Sequence, residues 1–183
     1  MANERIILGI DPGTSIMGYG LIQVKGKKLE LITLDVMKLT HLDTQPLKLK
    51  LIFETVLGVI DQYHPDELAI EAQFFGKNVQ SMLKLGRAQG VAIAAALHRS
   101  IPIFEYSPRK IKQSITGNGN ASKEQVAAMI ANLVVMKGPP VGLDATDALA
   151  VALCHYYQRG TGDEKKSYSG WAGYLSSNPD KIG

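Results

Sequence analysis

The sequence predicts an α/β fold with a mixed β-sheet of about five strands, flanked by helices on both faces. A short run rich in Ile, residues 6–10, has the character of a strand that is buried on both sides. Two more strand patterns follow it as a meander, and from residue 45 onward helical and strand patterns alternate. The chain of 183 residues is long enough to bury one core of this kind.

The first strand ends at Asp11, where Pro12 and Gly13 turn the chain, because Pro restricts φ and Gly permits positive φ. The carboxylate of Asp11 is therefore expected at the carboxyl end of a central strand, where open α/β sheets place their functional sites. An Asp that only begins a turn is the alternative interpretation of this motif.

The meander and the first helix come next. Residues 17–24 and 29–37 alternate or run apolar as strands do, and Gly26 between them predicts a hairpin. Apolar residues then recur at helical spacing, which predicts a helix over residues 45–63 that Pro65 ends.

A short strand over residues 68–72 ends in Glu71, and a long helix is predicted over residues 78–99. Small residues recur every four positions along one stripe of this helix: Gly86, Gly90 and Ala94. Small side chains at that spacing let another backbone approach closely, which predicts packing against the sheet or another helix. Our hypothesis is that this packing is a dimer contact.

The remaining elements are predicted from strand and capping signals. Residues 101–106 form a strand, and Ser107 is placed to cap the helix that follows. Ser122 and Gln125 form a capping-box pattern at the start of the next helix, and Asp144 opens the last one. Three helices are therefore predicted in succession after the last strand.

Residues 1–159 are predicted to form one domain, and residues 160–183 a polar tail, either disordered or an interaction arm. Cys154 is the only cysteine, which excludes an intrachain disulfide and a cysteine zinc cluster and favours the cytoplasm. No apolar run approaches the roughly 18 residues of a membrane span, and no secretion signal is expected at the N-terminus.

Positive charge is concentrated in one segment, although the net charge is only +3. Residues 77–123 contain eight basic residues and a single acidic one, Glu105. The basic residues are Lys77, Lys84, Arg87, Arg99, Arg109, Lys110, Lys112 and Lys123. Such a segment predicts a polyanionic partner, and a solvated helix face is the alternative.

Four carboxylates can converge in the predicted fold. Asp11 and Glu71 end two strands and share one edge of the sheet if those strands are neighbours, while Asp144 and Asp147 share a helix face. Clustered acids repel unless a cation neutralises them, and oxygen-only ligands select hard ions such as Mg²⁺ or Mn²⁺. Two such ions about 4 Å apart support phosphodiester hydrolysis. The alternative is that Asp144 and Asp147 only cap a helix and complement its dipole.

Four motifs in order resemble the RuvC family of bacterial Holliday junction resolvases. They are GIDPGTSIMGYGLI, IEAQFFGKNVQSMLKLGRAQG, KQSITGNGNASKEQV and LDATDALAVAL, and the resemblance covers residues 6–157. The resemblance implies a ribonuclease-H-like fold, a homodimer and a four-way DNA junction as the substrate. It also implies symmetric, metal-dependent nicking of two strands of like polarity, in concert with the RuvA and RuvB branch-migration proteins.

The resemblance also implies roles for individual residues. The four acids, Asp11, Glu71, Asp144 and Asp147, match the catalytic metal ligands of the family, with two Mg²⁺ ions expected per site and Mn²⁺ able to substitute. Lys112 and Lys123 match basic residues that the family needs near the DNA, and Lys123 is expected to stabilise the charge of the reacting phosphate. Phe74 matches an aromatic that contacts bases at the junction centre. Together with the basic segment, this gives the expected DNA contacts as Phe74, Lys77, Lys84, Arg87, Arg109, Lys112 and Lys123.

Three other functions compete with junction cleavage. DPGTS is also similar to the phosphate loop of actin-like and sugar-kinase ATPases, but those need two such cores and this chain has one. Another ribonuclease-H-like nuclease would cut RNA–DNA hybrids or RNA, and the basic residues from Lys112 to Lys123 argue instead for junction DNA. A junction-binding module without catalysis is disfavoured by the complete set of carboxylates.

Overall fold

A computed structural model describes residues 4–73, 78–134 and 142–160 of the chain. Its strands are β1 (Arg5–Asp11), β2 (Ile16–Lys25), β3 (Lys28–Lys38), β4 (Glu67–Glu71) and β5 (Ile103–Tyr106). Within the described residues these five strands form one sheet in the order β3-β2-β1-β4-β5. β1 pairs antiparallel with β2 and parallel with β4, so the predicted mixed sheet is confirmed.

The helices lie between and after the strands, at the places that the periodicity predicts. They are α1 (Gln45–Tyr63), α2 (Val79–His98), α3 (Pro108–Thr116), α4 (Lys123–Leu133) and α5 (Leu143–Gly160). Two of the three predicted helix starts are confirmed: the hydroxyl of Ser107 accepts from the backbone N–H of Lys110, and Ser122 and Gln125 form a reciprocal capping box. The last helix begins at Leu143, so Asp144 lies inside its first turn and does not open it.

Helices cover both faces of the sheet, because side chains alternate along the strands and are apolar on both faces. On β1, Ile7 belongs to the core beneath α3, α4 and α5, whereas Leu8 and Ile10 belong to the core beneath α1 and α2. Asp11 has the same parity as Ile7 and therefore faces the side of α5. The predicted burial of this strand on both faces is confirmed.

Strand β5 begins two residues later than the sequence predicts, because the preceding residues close the end of α2. Ser100 adopts a left-handed conformation with φ 57°. The backbone N–H of Ile101 then donates to the carbonyl of Ala96 at 3.0 Å, and that of Ser100 to Leu97 at 2.9 Å. This pair of bonds is a Schellman motif, in which the N–H of Ile101 is bonded to the end of the helix and not to a neighbouring strand.

The helix α5 lies unusually close to the sheet because glycines face it. A Cβ at Gly9 would lie 2.3 Å from the carbonyl oxygen of Ala148, and a Cβ at Gly18 would lie 2.4 Å from that of Asp144. Neither distance is compatible with a side chain, so glycine is required at both positions. The position of α5 on β1 and β2 therefore depends on these two residues.

A buried polar network joins the second half of α5 to the strands. His155 is fully buried, its Nε2 lies 2.9 Å from Glu67 Oε2, and its Nδ1 lies 2.6 Å from the Tyr106 hydroxyl. Burial, with a contribution from Arg5, lowers the pKa of His155 to about 4, so the ring is neutral at pH 7. It then donates to Glu67 and accepts from Tyr106, while Arg5 and Arg159 pair with Glu67. The network locks α5 to β4 and β5.

Two further predictions concern a membrane-spanning segment and the C-terminal tail. Among the described residues, no helix combines the length and apolar character that crossing a bilayer requires. Residues 161–183 lie outside the described part of the chain, so the division into a domain of residues 1–159 and a tail stays a prediction.

Candidate active site

Two carboxylates meet at the carboxyl ends of neighbouring parallel strands. β1 and β4 pair up to Ile10 and Ile70, so Asp11 and Glu71 are the next residues on the two strands. Both are half-buried and both line one cleft on the α5 side of the sheet. The condition on which the sequence prediction depended, that these two strands are neighbours, is met.

The start of α5 brings the second pair of acids to the same edge. Asp147 lines the cleft with Asp11 and Glu71, and its carboxylate accepts a very short hydrogen bond from the Lys123 ammonium. Asp144 lies one turn earlier and is more exposed, with Oδ1 4.0 Å from the same ammonium. Lys123 is the first residue of α4, so two helices supply these three side chains.

The cleft between these elements has a volume of about 220 Å³. One wall is acidic and the other is basic, and apolar side chains from α3, α4 and α5 complete it. Its lining residues are Asp11, Glu71, Pro108, Ile111, Lys112, Lys123, Val126, Asp147 and Ala150. A site with opposed charges can hold a cation against the acids and an anionic phosphate against the lysines.

Burial and mutual repulsion shift the titration of the two strand-end acids. The pKa of Asp11 is raised to about 7, first by burial and then by the Asp147 carboxylate, against the opposing effect of Lys123. The pKa of Glu71 is also raised to about 7, by burial and then by Asp11. The hydrogen bond to Asp147 raises the pKa of Lys123, which keeps its charge. The single positive charge of Lys123 therefore does not balance the negative charge of the ionised acids.

The donor set fits a hard divalent cation. The carboxylates of Asp11, Glu71, Asp147 and Asp144 offer only oxygen ligands, which suit Mg²⁺ or Mn²⁺ and not zinc. Within the described residues, no three acidic, His or Cys side chains lie close enough together to hold a metal ion in the positions that they occupy here. The ammonium of Lys123 contacts Asp147 at this place and supplies one positive charge to the acids.

The structure separates the basic residues into two groups. Lys112 on α3 and Lys123 line the cleft, and Arg109 is exposed one turn before Lys112, with its side chain packed against Gly119. Lys84 and Arg87 are exposed on α2, the helix of the opposite core, and do not line the cleft. Phe74 and Lys77 lie outside the described residues, and their roles stay predictions.

Sequence reasoning missed three residues that shape this site. Gly9 and Gly18 set the approach of α5, and glycines inside strand patterns were the available signal. Gln89 on α2 donates a hydrogen bond to the backbone carbonyl of Glu71, and no local pattern marks it. Such a contact arises from residues 18 positions apart in the chain, and only the fold brings them together.

A mixed sheet in this order, with acids at the ends of β1 and β4 and on the helix that crosses them, defines a ribonuclease-H-like nuclease. Residues 7–155 match the model of one family, described as crossover junction endodeoxyribonuclease RuvC. The chain is 60% identical over 179 residues to the protein of that name from Cytophaga hutchinsonii, covering 98% of this chain and 88% of the relative. The chain belongs to the RuvC family.

Two further comparisons agree with this family. The RuvC protein of Bacteroides fragilis is 57% identical over 181 residues, with 98% of this chain and 96% of the relative covered. The solved structure of T. thermophilus RuvC in complex with a Holliday junction substrate superposes with a TM-score of 0.78 at 33% identity. It covers 85% of this chain and 94% of that one. The family supports neither the ATPase alternative nor a nuclease for hybrids or RNA.

Proposed function

We propose that this chain is a Holliday junction resolvase that cuts two strands of like polarity symmetrically in DNA recombination and repair. The observation that carries the proposal is the cleft in which Asp11, Glu71 and Asp147 face Lys112 and Lys123, in a chain of the RuvC family. The family is a group of metal-dependent endodeoxyribonucleases. The cytoplasm is the compartment where such an activity meets its DNA.

We infer that Asp11, Glu71, Asp144 and Asp147 hold the metal, as two Mg²⁺ ions for which Mn²⁺ can substitute. When bound, the ions supply an activated water and stabilise the leaving oxygen. The resemblance to the family implies that Asp11 is the central ligand, and its electrostatic coupling to both Asp147 and Glu71 supports this role. The acids thus fix the ions against the strand ends.

We assign the opposite wall of the cleft to the phosphate. Lys123 neutralises Asp147 in the structure described, and a cation on the acids would free its ammonium to stabilise the charge of the reacting phosphate. Lys112, Arg109, Lys77, Lys84 and Arg87 are assigned to the DNA backbone. Phe74 is assigned to bases at the junction centre, where an aromatic ring can stack on unpaired bases.

Cleavage of matched substrates tests this function. A mobile four-way junction, a linear duplex with the sequence of one arm and an RNA–DNA hybrid of that sequence would be compared in Mg²⁺. We expect paired nicks in the junction, at symmetric positions on two strands of like polarity, and no comparable cutting of the duplex or the hybrid. Preferred cutting of the hybrid would overturn the assignment in favour of another ribonuclease-H-like activity.

Metal binding should be linked to proton release. Asp11 and Glu71 have pKa values of about 7 without a metal, and a cation binds only their ionised forms. Because metal-free protein carries more protons below pH 7, the affinity for Mn²⁺ should rise from about pH 6 to about pH 8 and then level off. Calorimetry in two buffers of different ionisation enthalpy measures the protons released. An affinity independent of pH would contradict the assignment.

Lys112→Ala should weaken binding to the junction and reduce its dependence on salt. Each phosphate that a lysine neutralises releases counterions, so losing one contact lowers the slope of log K against log salt by about one unit. Fluorescence anisotropy at several salt concentrations, without divalent metal, measures the slope. Lys50→Ala on the exposed side of α1 is the matched control and should leave it unchanged. An unaltered slope for Lys112→Ala would place this residue away from the DNA backbone.

We infer a homodimer in which two copies meet through α2. Val79, Leu83 and Leu97 are exposed by 65%, 52% and 60%, and a Cβ at Gly86 or Gly90 would meet nothing within 4 Å. The small residues of the predicted stripe are therefore not explained by packing against the described part of the chain. A second copy is the fitting occupant, because symmetric cutting needs two sites and the described residues supply one acidic cluster. RuvA and RuvB remain the proposed partners in branch migration.

Leu83→Glu should convert the dimer into a monomer and abolish paired nicking, because it places a charge in the apolar contact between copies. Sedimentation velocity of the free protein measures the change. Leu47→Glu is the control, since Leu47 is 49% exposed but lies on α1. Wild-type sedimentation of Leu83→Glu as a dimer would place the interface elsewhere.

A further inference from the structure

Gln89 is a buried polar residue on the side of the sheet that faces away from the cleft. It lies on α2 and is 9% exposed, among the buried alanines Ala88, Ala92, Ala95 and Ala96. Its Nε2 lies 3.3 Å from the backbone carbonyl oxygen of Glu71 and 2.9 Å from Oε2 of Glu105. A buried amide is costly unless it is hydrogen-bonded, so this pair of contacts is what allows a glutamine here.

The direction of the amide is determined by its partners. The carbonyl of Glu71 and the carboxylate of Glu105 only accept hydrogen bonds, so the NH₂ group of Gln89 must face them. An NH₂ group has two hydrogens, and two acceptors are present. One hydrogen of the NH₂ group is therefore directed at the Glu105 carboxylate, and the other at the backbone carbonyl of Glu71.

At Glu71 the strand β4 keeps a paired neighbour on only one of its two sides. The pairing of β4 with β1 ends at Ile70, so at Glu71 only β5 continues beside the strand, through the register partner Tyr106. The next residue, Ala72, donates its N–H to the carbonyl of Tyr106 at 2.9 Å. A strand end held from one side opens more readily than the strand interior. Gln89 adds a bond from the helix layer at this point.

We propose that Gln89 is a positioning residue, whose amide holds the backbone of Glu71 and thereby sets how the Glu71 carboxylate enters the cleft. This inference rests on the proposed role of Glu71 as a metal ligand. Metal and catalytic groups must be held to within about 0.5 Å, and a misplacement of about 1 Å can reduce a rate by about a hundredfold. Gln89 acts through Glu71 and does not itself touch the substrate.

Two substitutions of similar length separate hydrogen bonding from packing. Gln89→Met keeps an unbranched side chain without donors, whereas Gln89→Lys keeps a donor that can reach both acceptors and pair with Glu105. For Gln89→Met we expect about tenfold weaker Mn²⁺ binding, measured by electron paramagnetic resonance of free Mn²⁺. We expect Gln89→Lys to recover most of this loss. Junction binding without metal should stay within about twofold of wild type for both variants.

Thermal melts and two reference variants complete the test. A role in packing alone would lower the melting temperature of Gln89→Met and leave the Mn²⁺ affinity of the folded protein unchanged, which would overturn the proposal. Glu105→Ala keeps the bond to Glu71 and should bind Mn²⁺ within about threefold of wild type. Glu71→Gln should itself weaken Mn²⁺ binding. If it does not, the metal assignment fails; if it does while Gln89→Met binds normally, only the role of Gln89 fails.

Discussion

Asp11→Asn should abolish junction cleavage while junction binding survives. The change removes the charge of the central ligand with little change of shape. A metal ion at the reacting centre stabilises the transition state by several kcal/mol. We therefore expect a rate lower by about a thousandfold or more, measured under single-turnover conditions in Mg²⁺. Binding should persist, because the lysines of the opposite wall are retained.

Asp11→Asn should also leave the protein folded, and the direction of its effect on stability follows from the pKa of Asp11. Its pKa is raised from 3.8 to about 7 in the folded chain, so this carboxyl lowers the stability as the pH rises from about 3.8 to about 7, and the full cost is present above pH 7. A neutral Asn removes that penalty, and the metal-free variant should melt at or above the wild-type temperature at pH 8. Glu71→Gln, Asp144→Asn and Asp147→Asn should also lose cleavage. Wild-type cutting by Asp11→Asn would disprove the metal site.

Gly18→Ala should damage cleavage far more than a single methyl group suggests. The added Cβ would lie 2.4 Å from the carbonyl oxygen of Asp144 and 3.2 Å from Cβ of Ala148, so the start of α5 must move away from the sheet. Asp144 and Asp147 move with it. We expect a loss of about 1–3 kcal/mol in the free energy of unfolding and a cleavage rate lower by about a hundredfold.

Gly58→Ala provides the matched control for this second substitution. Gly58 lies on the exposed side of α1, where a Cβ would meet nothing within 4 Å. Alanine is the better helix former, so this variant should gain about 0.5–1 kcal/mol and cut at the wild-type rate. Thermal melts and cleavage of one junction compare the two variants. Wild-type cutting by Gly18→Ala would show that α5 does not depend on this contact for the position of its acids.

The elements of this fold were open to prediction because their signals are local. Helical spacing marked α1, Ser122 and Gln125 marked the start of α4, and the β-branched run before Asp11 marked the buried β1. The place of Asp11 and of Glu71 at strand ends was likewise visible in the sequence. Whether the two side chains lie close together could not be predicted in the same way, because it required β4 to pair with β1. Strand order depends on contacts between distant segments.

The sequence alone determined the types of residue from which the site is built: carboxylates at strand ends and on one helix face, and a concentrated positive charge. Only the tertiary structure decided how that charge is divided, with Lys112 and Lys123 in the cleft and Lys84 and Arg87 on the helix of the opposite core. Helix and strand signals depend on neighbours a few residues apart. The close approach of α5 at Gly18 and the bond from Gln89 to Glu71 arise instead from the packing of helices on the sheet. A glycine inside a strand pattern was the only local signal of the first, and no local pattern marks the second.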